Sequence, residues 1–140
     1  MKSFVLDAGP LVALLDGDDQ FHNWAVAQFA SLPPAFVTCE AVITETLYVI
    51  GHRAAKLVIP RLQPLLRRRV ITFPFRFEEH SAEVLSLMDR YASVPMSFAD
   101  ACLVRMSELL PDATVFTTDS DFRIYRHHKR QAIPVLCPFP

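Results

Sequence analysis

The sequence predicts an α/β fold, a three-layer α/β/α sandwich around a central, mainly parallel sheet of five strands. Short apolar and β-branched runs alternate with longer segments of helical periodicity along the whole chain. Strands that are separated by helices pair in parallel through right-handed crossovers, and the helices then cover both faces of the sheet. The composition also fits, because 51% hydrophobic and 21% charged residues are typical of a globular protein with a substantial core.

Five segments have the pattern of strands, each a short apolar run bounded by turn residues. In chain order they are residues 3–6, 36–38, 70–73, 114–117 and 133–136. The predicted helices lie between them, at residues 11–15, 20–32, 38–51, 54–66, 78–91 and 97–110. Asp19, Thr38 and Ser97 have the side chains that cap helix starts. The sequence shows no repeat, linker or second domain, so one domain over residues 1–140 is expected.

The cations are unevenly distributed, although the formal net charge is only −1. Two tracts without any acid, residues 46–77 and those after 121, hold eleven of the fourteen Lys and Arg. Such tracts can form a basic rim for RNA beside an acidic pocket, although each can also be an ordinary solvated helix face. The candidate RNA-binding residues are Arg53, Arg67, Arg68, Arg69, Arg123 and Arg126.

The three cysteines, Cys39, Cys102 and Cys137, have neither a zinc-ligand spacing nor the pattern of a disulfide framework. The apolar start of the chain is interrupted by Asp7 and Pro10 and is not followed by a small-residue cleavage site, so a signal peptide is not predicted. No apolar run approaches the roughly 20 residues that a membrane helix needs. A reducing, cytoplasmic setting without a membrane is therefore expected.

Four acidic residues stand in apolar surroundings: Asp7, Glu45, Asp100 and Asp119. Asp7 and Asp119 follow predicted strands, and the carboxyl ends of parallel strands are where open α/β sheets bind ligands. Glu45 and Asp100 lie on predicted helices with few other polar groups. Converging buried carboxylates are stabilised by a hard cation, so the sequence predicts a divalent metal site, and an all-oxygen ligand set suits Mg²⁺.

Each acid also has a purely structural interpretation. Asp7 can bond the backbone of a tight turn, and Asp100 can form a capping box with Ser97. Asp119 and Asp121 can be simple turn residues, and Glu45 can be a surface residue on the polar side of its helix. Four such coincidences together are much less probable than one.

Four segments in this order resemble the motifs of the PIN domain family, and among its members the VapC-like toxins of prokaryotic toxin–antitoxin pairs. They are residues 5–11 around Asp7, Thr44 with Glu45, residues 97–101 around Asp100, and residues 117–122 around Asp119. The resemblance implies that Asp7, Glu45, Asp100 and Asp119 bind Mg²⁺ or Mn²⁺ and are catalytic. It also implies that Asp121 assists as a further metal ligand, while the Thr117 hydroxyl supports the loop or a bound water.

The resemblance further implies a metal-dependent endoribonuclease that hydrolyses RNA, a toxin that forms a homodimer and is covered by a cognate antitoxin. Two related interpretations stay open: a PIN nuclease of RNA processing, and a catalytically silent PIN scaffold that binds RNA or protein. An aspartate-based phosphatase is a third alternative, but it requires a second Asp where this chain has Gly9. The role of the proline-rich tail stays open.

Overall fold

Parallel strands form the centre of the molecule, in a computed structural model that describes residues 2–140. Met1, the first residue of the predicted domain, lies outside the described residues. Within them the strands are β1 (Ser3–Leu6), β2 (Phe36–Val37), β3 (Ile71–Thr72), β4 (Ala113–Phe116), β5 (Arg126–His127), β6 (Gln131–Ala132) and β7 (Val135–Leu136). Five of them pair in the order β3-β2-β1-β4-β7, and every pair is parallel.

Helices connect these strands and cover the sheet. They are α1 (Ala8–Leu15), α2 (His22–Ser31), α3 (Glu40–Ile50), α4 (Ala54–Arg67), α5 (Ser81–Arg90) and α6 (Phe98–Leu109). The chain steps from β1 to β2 to β3 in one direction and then returns past β1 to β4. Because right-handed crossovers place the connecting helices on opposite faces when the direction reverses, helices cover both sides. The predicted three-layer α/β/α architecture is confirmed.

The β1–β4 pairing determines which residues meet at the carboxyl edge of the sheet. Its register places Leu6 beside Phe116, so the next residues, Asp7 and Thr117, leave the sheet side by side. Both strands are held in the core, where Leu6 and Phe116 are 0% exposed. The pairing of the buried strands β1 and β4 therefore places Asp7 and Thr117 next to each other at the edge of the sheet.

Two predicted helix caps are wrong, and a third is confirmed. The Asp19 carboxylate accepts a hydrogen bond from the Phe21 N–H at 2.8 Å, but α2 begins only at His22. The Thr38 hydroxyl donates to the Leu6 carbonyl at 2.7 Å and thus ties the end of β2 to β1, while Cys39 occupies the N-cap of α3. The Ser97 hydroxyl does cap α6, because its oxygen accepts the Asp100 N–H at 3.0 Å.

The C-terminal region differs most from the prediction. β5 and β6 form a small antiparallel hairpin outside the main sheet, and the strand predicted at 133–136 is shortened to Val135–Leu136. The hairpin follows the 3-10 turn Ser120–Arg123 and places Tyr125 in the core. Across residues 2–140, the helices are all too short or too polar to pass through a lipid bilayer.

Candidate functional site

The predicted site residues that follow strands lie at the topological switch point of the sheet. The chain leaves β1 toward one side and β4 lies on the other, so a crevice opens at their carboxyl ends. Asp7 is the N-cap of α1, and Asp119 is the N-cap of the 3-10 turn Ser120–Arg123. Short turns after two adjacent strands thus carry both carboxylates to one edge.

Thr117 links these two acids by hydrogen bonds. The Asp7 carboxylate accepts the Ala8 N–H at 2.7 Å through Oδ1 and the Thr117 hydroxyl at 2.6 Å through Oδ2. The Thr117 oxygen in turn accepts the Asp119 N–H at 2.9 Å. Thr117 is 0% exposed and Asp7 is 5% exposed, so these bonds are shielded from water and fix the Asp7 side chain.

Burial raises the pKa of Asp7 from 3.8 to about 7. The loss of hydration is the largest cause, and repulsion from the carboxylates of Asp100 and Glu45 adds to it, whereas the hydrogen bonds from Thr117 and Ala8 act in the opposite direction. A carboxyl group that resists ionisation in this way is stabilised in its charged form when a cation binds beside it.

Asp100 lies in the first turn of α6, and its ionised form is destabilised in the same way as that of Asp7. Burial raises its pKa from 3.8 to about 6, with further contributions from the charges of Asp119 and Glu45. Its Oδ2 accepts a hydrogen bond from the Tyr125 hydroxyl at 2.9 Å, which favours the ionised form. The carboxylate is thereby held by a residue from the base of the β5–β6 hairpin.

Tyr125 is the residue that sequence reasoning missed. It is 0% exposed, it packs edge-on against Tyr91 at 5.2 Å and against Phe122 at 5.3 Å, and burial raises the pKa of its hydroxyl group. A buried tyrosine hydroxyl needs a hydrogen-bond partner. The one available sequence signal was a tyrosine four residues after Asp121, and that signal does not identify Asp100 as the partner.

Glu45 and Asp121 complete the predicted set. Glu45 is half-buried on α3, and its charge acts on both Asp7 and Asp100, so the structure brings this helix near the other acids. The Asp121 N–H donates to the Asp119 Oδ1 at 2.9 Å, and the Asp121 carbonyl accepts the N–H groups of the next turn. Asp121 therefore shapes the loop that carries Asp119.

The donor set fits a hard divalent cation, since every predicted ligand is a carboxylate oxygen. Among residues 2–140, however, no three His, Cys, Asp or Glu side chains are arranged to hold one ion directly. Mg²⁺ retains several waters and needs only one or two protein carboxylates. Carboxylates that are electrostatically coupled but spaced apart are compatible with that mode of binding, and the assignment of ligands stays a prediction.

Gly9 lies in the turn after β1, where the phosphatase alternative requires a second aspartate. A Cβ atom at this position would lie 1.9 Å from Oγ1 of Thr118, so the first turn of α1 packs directly against the segment after β4. A side chain at position 9 would require the Thr118 hydroxyl to move. The phosphatase alternative lacks its second carboxylate because residue 9 is glycine.

The structure does not gather the six candidate RNA-binding arginines. Arg53 pairs with Asp16 at 2.8 Å, at the far end of α1 from Asp7. The exposed residues 67–69 precede β3 and so approach the sheet at its amino-terminal edge. Arg126 lies nearer to the acids, but its guanidinium donates to the carbonyls of Arg123 at 2.8 Å and of Tyr125 at 3.0 Å.

Arg123 also explains what the proline-rich tail contacts. Its guanidinium donates to the carbonyl oxygens of Phe139, at 3.0 Å, and of Pro140, and it lies 5.4 Å from the centre of the Phe139 ring. The tail is thereby fastened to the turn that follows Asp119. Arg123 has a structural role here, and RNA binding by this residue stays a prediction.

Comparison with known proteins agrees with this fold. A search of curated proteins gives no match to the chain. Among solved structures, the fold is similar to that of VapC20 from Mycobacterium tuberculosis, a toxin that cleaves the sarcin–ricin loop. The TM-score is 0.67, the match covers 85% of this chain and 92% of that chain, and the sequences are 23% identical, so this similarity concerns the fold.

The family assignment comes from the sequence match. The model of the PIN domain matches residues 4–127, a range that includes Asp7, Glu45, Asp100, Asp119 and Asp121 together with β2 to β5 and all of β1 except Ser3. The resemblance seen in the four sequence motifs is confirmed, and the chain belongs to the PIN domain family.

Proposed function

We propose that this PIN domain protein is a divalent-metal-dependent endoribonuclease that hydrolyses RNA phosphodiester bonds. The observation that carries the proposal is the pair of buried carboxyl groups, Asp7 and Asp100. Each has lost hydration and is repelled by neighbouring carboxylates, and a bound cation would offset both effects within this PIN fold. The proposed cofactor is Mg²⁺ or Mn²⁺. Asp7, Glu45, Asp100 and Asp119 would hold it, and Asp121 would assist.

The chain's own groups prepare the site for this chemistry. When bound, the ion supplies positive charge for a phosphate oxygen and lowers the pKa of a water. The Ala8 N–H and the Thr117 hydroxyl hold the Asp7 carboxylate in one orientation, and the Tyr125 hydroxyl does the same for Asp100. Because both acids are shielded from bulk water, their charges act at short range with little screening.

We also propose that the protein is the toxin of a type II toxin–antitoxin pair. The fold similarity to VapC20, a sarcin–ricin loop cleaving toxin, supports this more specific assignment. The expected partners are an RNA substrate, a cognate antitoxin and a second copy of the chain. Growth arrest on expression of the wild type, relieved by Asp7→Asn, would support the toxin over a nuclease of RNA processing; unimpaired growth would count against it.

The nuclease is tested with purified protein and labelled RNA. We expect cleavage in Mg²⁺ or Mn²⁺ that EDTA stops, and we expect Asp7→Asn and Asp119→Asn to abolish it because each removes a charged ligand. Asp89→Asn, an exposed acid on α5, is the matched control and should cleave normally. Full activity of either site variant in Mg²⁺ would exclude the proposed mechanism.

A catalytically silent PIN scaffold is the second candidate. It is favoured by one observation, that within the described part of the chain no three potential ligands are already arranged around one point. Calorimetric titration with Mn²⁺ separates the two candidates. Binding that Asp7→Asn weakens supports the nuclease, whereas no detectable binding by the wild type supports the scaffold.

A further inference from the structure

A pocket between α3 and α6 adjoins the carboxylate site and is not explained by metal binding. Its volume is about 360 Å³, which lies within the range of small-ligand sites. It shares one residue, Glu45, with the predicted metal ligands. The residues that line it are Glu40, Ala41, Thr44, Glu45, Phe98 and Ala99.

An exposed aromatic ring forms one wall of this pocket. Phe98 is 40% exposed although it lies only two residues before the buried Asp100. Phe77 packs edge-on against it with the ring centres 5.0 Å apart, which restricts the orientation of the Phe98 ring. Two phenylalanines at the surface lose the free energy of burial unless a ligand covers them.

The remaining lining explains why the space is open and what can bind there. Ala41 and Ala99 line the pocket from the two helices and have no side chain beyond Cβ to fill it. Glu40 is exposed at the start of α3, and its carboxylate makes no ion pair among the described residues. The pocket therefore combines a stacking surface with a hydrogen-bond acceptor.

We propose that this pocket is a nucleobase subsite, in which Phe98 stacks on an unpaired base of the RNA next to the cleaved phosphate and Glu40 accepts a hydrogen bond from the exocyclic amino group of that base. The inference rests on the proposed ribonuclease function and adds its substrate class, single-stranded RNA with an amino-bearing base at this position. Unpaired RNA bases are characteristically recognised by stacking on aromatic side chains and by bonds to their edges.

The position of the pocket favours a base over a protein partner as its occupant. Glu45 belongs both to the pocket and to the carboxylate site, so a base held here would place the neighbouring phosphate at the acids. A carboxylate accepts from the exocyclic amino group of cytosine, whereas uracil has the acceptor O4 at that position and offers only its ring N3–H as a donor. Cytosine and uracil differ little in size, so the two bases test Glu40 directly.

The test measures binding of fluorescent oligocytidine and oligouridine to the intact protein in EDTA, where cleavage is not expected. We expect the wild type to bind oligocytidine several-fold more tightly, and Glu40→Gln to reduce this preference because an amide also offers a donor to uracil. Phe98→Leu should lower the affinity for both oligonucleotides about tenfold, which is the scale of one lost stacking contact. Phe98→Tyr keeps a ring and should bind like the wild type.

Val26→Ala is the matched control, because Val26 is 41% exposed on α2, outside the pocket. Unchanged RNA affinity in Phe98→Leu, or equal binding of both oligonucleotides by the wild type, would overturn the subsite. If Phe98→Leu changes the oligomeric state but not RNA binding, the pocket is a protein interface and the nucleobase subsite is overturned. If RNA binds as expected but is never cleaved in Mg²⁺, the nuclease proposal fails and the subsite stands.

Discussion

Asp7 makes the stability of the metal-free protein depend on pH. Its folded-state pKa of about 7 lies above the ordinary value of 3.8, so between these pH values the folded state binds more protons than the unfolded state. The stabilising contribution is complete below pH 3.8 and is lost as the pH rises through 7. Its full size is about 4 kcal/mol for one group with this shift.

We therefore expect Asp7→Asn in EDTA to be more stable than the wild type at pH 8 and to lose less stability between pH 4 and pH 8. Urea unfolding at a series of pH values measures both quantities. Asp89→Asn, which changes an exposed carboxylate, should follow the wild type. Parallel curves for Asp7→Asn and the wild type would show that Asp7 ionises normally in the folded protein.

A second residue-scale prediction concerns the tyrosine that positions Asp100. Tyr125→Phe removes only the hydroxyl that donates to Oδ2 and keeps the ring packing against Tyr91 and Phe122. Loss of a partner that orients a metal ligand typically lowers metal affinity 10–100-fold. We expect Mn²⁺ affinity to fall about tenfold while the fold is kept. Tyr91→Phe is the control, because the Tyr91 hydroxyl accepts the Arg126 N–H and does not contact Asp100, and this variant should keep the Mn²⁺ affinity of the wild type.

These residues also show what the sequence could and could not predict. Asp7 and Asp100 were recognisable because each carboxylate interrupts a local apolar pattern that is visible within a few residues. Tyr125 was not, since its partner lies 25 residues earlier in the chain and the two meet only after α6 and the β5–β6 hairpin have packed. The local sequence pattern identifies the carboxylates that are unfavourable to bury, whereas the tertiary structure determines which groups form hydrogen bonds with them.

At the scale of elements, the strand and helix types were predictable and their ends were less so. Thr38 was expected to cap α3, but its hydroxyl serves the Leu6 carbonyl on the neighbouring strand. When a side chain can bond either a local or a non-local partner, the register of the sheet determines which partner it bonds. The sequence does not show this register. The β5–β6 hairpin was missed because strands of two residues lack a recognisable period.

The turn between α4 and β3 carries the prediction for the basic tract. Residues 67–69 are exposed arginines, and we expect their joint replacement by Gln to weaken RNA binding and to flatten its salt dependence, because fewer counterions are released. Mn²⁺ affinity should not change. Since the turn approaches the sheet at the edge opposite to Asp7, an unchanged affinity and salt slope would show that RNA does not reach this turn.

For the whole molecule, we expect a homodimer. Two adjacent apolar side chains at the end of α3 remain uncovered, with Tyr48 86% exposed and Val49 63% exposed. Clusters of large exposed apolar side chains commonly mark a protein interface. Light scattering at micromolar concentration should give twice the chain mass, and Val49→Lys should halve it; a monomeric wild type would remove the dimer but not the nuclease.

The pairing of β1 with β4 has a consequence for synthesis of the protein. Asp7 is among the first residues made, but the Thr117 hydroxyl that orients it follows 110 residues later, and the parallel neighbour β7 comes later still. During synthesis on the ribosome, the sequences of α1 to α6 are therefore complete before the residues that finish the carboxylate site have been added. The proposed nuclease would therefore have a complete site only when translation of the chain is almost finished.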